Sequence, residues 1–327
     1  MRHERLSKEL VEVRSRLLVN DWLAVIFDVG YRLLELRKAV ESSNSREMYR
    51  HTPVAVIAAL ETYFRGTIVD LVNRGEPYRS RVSYLVKDKV VIKDAISFFH
   101  GESFTFGEVI ANLASCNSIS DIHTWLETLL NIDLKAHLKK AIDPHDKRNG
   151  YIDAPLIIND VNSLYRNIEE AFRLRHIFAH EAATQHNVDK ECALQLINSI
   201  QNFTDGIYAV LWDTAFANLP LTTMEHNQYT CQSYREKNEK LMAVVAQAAK
   251  IAERDGISNW FVTNQKSWES FCQDWIEQGY RNQSGSVWES EANSEHATLI
   301  QQRAEMLKRW VSSRNPEIPD RPEVDAH

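Results

Sequence analysis

Apolar residues recur at every third or fourth position along most of this chain, and that spacing leaves few architectures open. Val56, Leu60, Phe64, Ile68 and Leu71 fall on one face of a helix over residues 52–74. Leu6, Leu10, Val13, Leu17 and Leu18, followed by Trp22, Val25, Ile26, Val29 and Leu33, repeat the pattern across residues 4–40. A sheet protein of this size needs alternating residues and many tight turns. Its 327 residues include only 10 glycines and 8 prolines, so the predicted class is all-α. The stretch LVKDKVVIKD at 85–94 is a short-strand candidate without an evident partner.

The length suffices for two domains, and the breaks in periodicity suggest where they divide. Thr52 and Pro53 read as an N-cap and first-turn proline after the polar break SSNSR at 42–46, and Gly75, Glu76 and Pro77 read as the stop. Shorter helices are expected at 84–97, 105–114, 119–130 and 133–141, with a loop at 143–150. A long helix opens at the capping residues Asn159 and Asp160 and runs to His180. Another covers 188–216, with Cys192, Leu194, Leu196, Ile197, Ile200, Phe203 and Tyr208 at helical spacing. The polar stretch 218–230, with Pro220, then reads as a linker between a helical domain over 1–217 and a smaller one over 231–312. The charged, proline-containing tail 313–327 is expected to be disordered. In the smaller domain Trp260, Trp268, Trp275, Trp288 and Trp310 are placed in a core around Leu241, Val245, Ile251 and Leu307. The alternative leaves them partly exposed to bind a partner.

Charge and cysteine usage exclude several functions. A net charge of −7 argues against a broadly basic nucleic-acid coat, so any such contact must be local. No run of about eighteen apolar residues is present to span a membrane. The first twenty residues form a charged amphipathic pattern without the apolar centre of a signal peptide. Cys116, Cys192, Cys231 and Cys272 form no CxxC pair, which suits reduced thiols and a cytoplasmic location. Neither GxxxxGK[ST] nor GxGxxG occurs, so no glycine loop is available to cradle phosphate.

The chemistry concentrates in Arg175, His176, Ile177, Phe178, Ala179 and His180. Val161, Leu164, Tyr165, Ile168 and Phe172 mark the apolar face of the preceding helix, and Arg175, His176 and His180 fall on or beside it. An arginine and two histidines there need a partner or a function. Arg175 could pair with an acid such as Glu61 or Glu169, and His180 could sit against the negative end of the helix dipole. His176 and His180 are four apart and could share zinc, although no third ligand or HExxH glutamate is evident. Five positions separate Arg175 from His180, about 140° of helical rotation, so the two side chains diverge.

RHIFAH resembles the R-x4-6-H signature of the HEPN superfamily. AALETYFRGTIVDLV at 58–72, with Glu61, is similar to an early helix of the same domains, so the resemblance covers about residues 1–216. It implies a helical bundle that homodimerises, so that motifs from both protomers line one cleft. It also implies RNA cleavage without a metal or other cofactor. Arg175 would then hold the scissile phosphate, His180 would act as acid and base, His176 would position the phosphate or a base, and Glu61 would orient the arginine. Members of this superfamily serve as toxins and anti-phage effectors, so tRNA or mRNA is the expected substrate and an antitoxin or regulatory protein an expected partner. Lys135, Lys139, Lys140, Lys147 and Arg148 are candidates to steer RNA, or simply a solvated face. A non-catalytic helical scaffold is the competing reading.

SWESFCQDW at 267–275 and GSVWESEANSEHATLIQQRAEMLKRW at 285–310 resemble the LprI-like, lysozyme-inhibitor-like domain through Trp268, Gly285, Ser286, Leu299 and Arg303. Secreted members of that family carry a cysteine where this chain has Glu295, and Cys272 is not at the position of the expected partner. Without that disulfide, sensing, regulation or assembly is expected of this module instead of periplasmic lysozyme inhibition.

Overall fold

The computed structural model describes residues 22–86, 104–151, 153–180, 187–281 and 287–314; the side chains at 22–24, 26–27, 180, 281 and 287 lie outside that description. The protein is all-α, and among the described residues the sole extended pairing is an isolated bridge between Ile142 and Leu156. Residues 87–94 of the strand candidate, most of the expected 84–97 helix and residues 4–21 fall outside the described residues. The chain divides into two compact units, one ending at Ala217 and the other starting at Asn218.

Among the described residues, four long helices build the first unit: α1 (Trp22–Ser42), α2 (Arg46–Asn73), α8 (Val161–His180) and α9 (Lys190–Asp213). Helix α2 is central and touches the other three. Val56, Leu60, Phe64, Ile68 and Leu71 are all buried, but so are Ala55, Ile57, Ala59, Tyr63 and Val72. A helix apolar around most of its circumference must be enclosed, which is why its neighbours pack on several sides. The helix starts earlier than its cap-like Thr52 and Pro53 suggest. Both residues are buried inside it; the Thr52 hydroxyl donates to Met48 O at 3.0 Å, and Pro53 removes only one backbone donor. The C-terminal end follows expectation, with Gly75 at φ +94° donating to Val72 O at 3.2 Å.

Shorter helices brace this bundle: α3 (Tyr78–Val82), α4 (Phe106–Leu113), α5 (Ile119–Leu130), α6 (Leu134–Leu138) and α7 (Pro144–Arg148). The last forms one helical turn where the sequence reads as a loop, because the Asp143 carboxylate accepts from the His145 and Asp146 amides and Pro144 occupies the first turn. Helix α4 lies tightly on α2. A Cβ on Gly107 would meet Val69 O at 2.5 Å, and the Gly107 amide donates to Asn73 Oδ1 at 3.0 Å.

Among the described residues, three helices form the second unit: α10 (Thr223–Arg254), α11 (Ser258–Ile276) and α12 (Val287–Arg314), with a π-helical turn over Glu277–Arg281. Residues 223–230, read as linker, are helical. A capping box joins Thr222 to Glu225, and the polar residues that follow supply the solvent face of α10. The C-terminal tail begins later than expected, because α12 continues to Arg314, whose guanidinium holds Asp255 at 2.7 Å. The remaining tail residues lie outside the described residues. Leu241, Val244, Ala248 and Ile251 on α10 face Ile300, Ala304, Leu307 and Val311 on α12, an alternating three-and-four spacing that suits a parallel seam. This core is mainly aliphatic, with Phe261 buried in it. Trp268 and Trp310 pack against its edge, whereas Trp260 and Trp275 are 54% and 48% exposed, so the tryptophan-centred core is corrected.

Candidate functional site

Helices α2 and α8 run antiparallel and bring together the acid and the arginine singled out in the sequence. Val161, Leu164, Tyr165, Ile168 and Phe172 are buried as the periodicity requires, joined by Ala171 and Leu174. Arg175 lies at the rim of this face. Its Nη2 is 3.5 Å from Glu61 Oε1, and the two side chains are 36% and 25% exposed. A long, partly hydrated ion pair contributes at most about 1 kcal/mol, so its carboxylate is exchangeable. Glu169, the other acid considered, is exposed.

One turn from Glu61, Arg65 supports the same place. Its Nη1 donates to Ala111 O at 2.6 Å and its Nη2 to Cys116 Sγ at 3.4 Å, which ties α2 to the end of α4 and to the segment before α5. Burial pushes the Cys116 thiol up; Arg65 and Arg175 pull it back and Glu61 pushes it further up. These opposed influences place two guanidiniums and one carboxylate around a single buried sulfur.

An open groove of about 480 Å³ runs beside Arg175, lined by Asn117, Phe172, Arg173, His176 and Ile177. Arg173 is engaged by Glu170 at 2.6 Å and 2.7 Å. Asn117 is held at the entrance to α5, where its amide donates to Asp121 Oδ2 at 3.1 Å and its side chain to Ser115 Oγ at 3.3 Å. His176 is exposed on the groove. The His180 backbone ends α8, but its side chain lies outside the described residues. The groove therefore offers a guanidinium, an imidazole, an amide and a mostly buried aromatic ring to a ligand.

Of the cations suggested for steering RNA, Lys135 lies over the Tyr165 ring of α8 at 4.5 Å, and the other four lie elsewhere. Asn167 bonds Ser199 and Tyr165 packs on Phe203, which sets α8 antiparallel to α9 and puts Arg175 level with the start of α9. Lys147 pairs with Asp213 at the other end of α9 at 2.7 Å, on the order of 33 Å along that helix. Arg148 stacks over Trp212 at 5.4 Å and donates to Ala217 O at 3.3 Å. Lys139 and Lys140 are exposed beyond α6, whose Leu138 approaches Gly206, and so do not border the groove. Sequence reasoning missed Arg65, Cys116 and Asn117. The spacing of Glu61 and Arg65 on one helix face was a usable signal for the first; the other two carry none.

Comparison with protein-family models, with curated proteins and with solved structures finds no match. The groove is accordingly read from its own chemistry.

Proposed function

We propose that the chain is an endoribonuclease that works without a metal ion, of the kind that HEPN-type toxins and anti-phage effectors represent. The observation that supports this most is Arg175: a guanidinium at the rim of an open groove, paired only loosely with Glu61 and flanked by His176. A phosphate can replace the carboxylate at that guanidinium, gaining two parallel hydrogen bonds and a stronger charge. His180 takes the proton from a ribose 2′-hydroxyl as its oxygen attacks phosphorus. The P–O5′ bond breaks and the leaving 5′-oxygen is protonated, yielding a 2′,3′-cyclic phosphate and a 5′-hydroxyl. The divergence of about 140° between Arg175 and His180 is resolved when the motif of a second protomer completes the site. The substrate class is tRNA or mRNA, and an activity of this kind in the cytoplasm calls for an antitoxin or another restraint.

Purified protein incubated with RNA in EDTA tests the reading. Cleavage is expected to leave cyclic phosphate ends and to fall by roughly 100-fold or more in Arg175→Ala and in His180→Ala, with helical content unchanged by circular dichroism. RNA carrying a 2′-deoxynucleotide at the cleavage position should stay intact. Undiminished cleavage by both variants overturns the assignment.

A further inference from the structure

The second unit carries a feature that RNA cleavage does not use. Along α11, Trp260, Trp268, Phe271 and Trp275 fall within about 80° of one another, beside the buried stripe formed by Phe261, Gln265, Cys272 and Ile276. Trp260, Phe271 and Trp275 are 54%, 54% and 48% exposed. Helix α12 runs antiparallel alongside. Trp260 meets Trp310 at one end, Arg303 meets Asn264, Gln265 and Trp268 in the middle, and Trp275 donates to Glu295 at 3.2 Å at the other end. On α12, Leu299 and Met306 share the stripe of Glu295, Arg303 and Trp310, and Met306 is 45% exposed. The two helices thus border an aromatic-lined groove about 22 Å long, the length of roughly 15 helical residues.

Its centre holds a cation without a carboxylate. Arg303 is 4% exposed, yet among the described residues no acid lies within ion-pair distance of it. Nε and Nη2 donate to Gln265 Oε1 at 3.1 Å and 3.0 Å, and Nη2 also donates to Asn264 Oδ1 at 2.8 Å. Gln265 relays in turn to Glu269 at 3.0 Å. Amide oxygens therefore hold one edge of the guanidinium, while among the described residues Nη1 has no hydrogen-bond partner. A buried charge is ordinarily matched by an opposite one in direct contact, and here Glu269 acts only at longer range, through Gln265.

We infer that the α11–α12 groove docks a single amphipathic helix of a partner protein, whose apolar face carries one carboxylate that pairs with Arg303. Apolar anchors one or two turns on either side rest on Trp260 and Trp310 in one direction and on Phe271 and Trp275 in the other. Glu295 stands about 12 Å along α12 from Arg303, so a basic residue about two turns from the carboxylate matches that end. Three half-exposed aromatic side chains offer on the order of 300 Å², well short of the roughly 800 Å² per partner of a stable dimer. A lone helix fits that area better than a second copy of this chain.

A library of displayed 15-residue helices, randomised on the apolar face and selected against the full-length protein, provides the test. Selected peptides should carry Asp or Glu at one central position with large apolar residues a turn away on both sides. Exchanging that acid for its amide should weaken binding at least tenfold, and so should Phe271→Ala or Trp275→Ala, both at exposed positions that leave the core intact. Selection of peptides without a central acid overturns the inference, as does binding indifferent to both aromatic substitutions. An unliganded protein that is dimeric by light scattering and becomes monomeric with Trp275→Ala overturns it too, because the groove is then filled by a second copy.

Discussion

Arg175 and Arg303 both stand beside a buried cysteine at the meeting of two helices, yet they are held in opposite ways. Arg175 keeps 36% of its side chain exposed and shares its charge with Glu61 at 3.5 Å. Arg303 is nearly enclosed and is held by amide oxygens at 2.8–3.1 Å, with the Trp268 ring 5.6 Å away. Desolvation accordingly dominates at Arg303, where it lowers the guanidinium and pushes the Cys272 thiol up to about 11. Arg175 is thus kept wet beside a weak counter-ion, whereas Arg303 is kept nearly dry with amide dipoles along one edge.

The sharpest way to break this contrast is to delete both guanidiniums and compare stabilities. Arg303→Ala should lower the unfolding free energy of the second unit by about 3 kcal/mol, because it leaves the oxygens of Asn264 and Gln265 without their charged donor. Arg175→Ala should cost the first unit less than about 1 kcal/mol. Urea unfolding followed by tryptophan fluorescence and by circular dichroism reads both, and equal losses would erase the distinction. Next in size is Gly107→Ala, expected to cost about 2 kcal/mol because the new methyl group collides with backbone at Val69 O. The resulting shift of α4 would draw the Ala111 carbonyl from Arg65, so a melting temperature equal to wild type would show that Arg65 does not depend on a fixed α4.

Much of this was legible beforehand, for reasons that particular residues make plain. Val56, Leu60, Phe64, Ile68 and Leu71 are a repeated signal, and repetition survives local contradictions such as Pro53 within the same helix. Asp160 announced the start of α8, since its carboxylate accepts from the Asn162 and Ser163 amides. The start of α10 was equally written in Thr222 and Glu225 but was hidden by the polar composition around it. Of the groove, Glu61 could be offered in advance as a partner for Arg175, beside Glu169, because Arg175 falls next to the apolar face of its helix and calls for an acid. Cys116 and Asn117 could not, since only the folding of α4 against α2 and of α5 against α8 carries that segment to Arg65. The tryptophans misled for a related reason: aromatic residues at helical spacing mark a face, and only packing decides whether the face is covered.

The smallest expected effect tests what Glu61 does to Arg175. If the ion pair is an exchangeable hold, Glu61→Gln leaves stability within about 0.5 kcal/mol of wild type, because so long and hydrated a contact has little to lose. On the proposed ribonuclease reading, the same substitution removes a carboxylate that competes with phosphate for the guanidinium. Release of about 0.5 kcal/mol corresponds to roughly a twofold gain in affinity, so KM for RNA should fall by about that factor with kcat preserved. Steady-state cleavage across a range of RNA concentrations separates the two constants. A tenfold or greater loss of kcat would instead make Glu61 a group that orients Arg175 for the reaction, and the contrast with the amide-held Arg303 would then be one of solvent exposure alone.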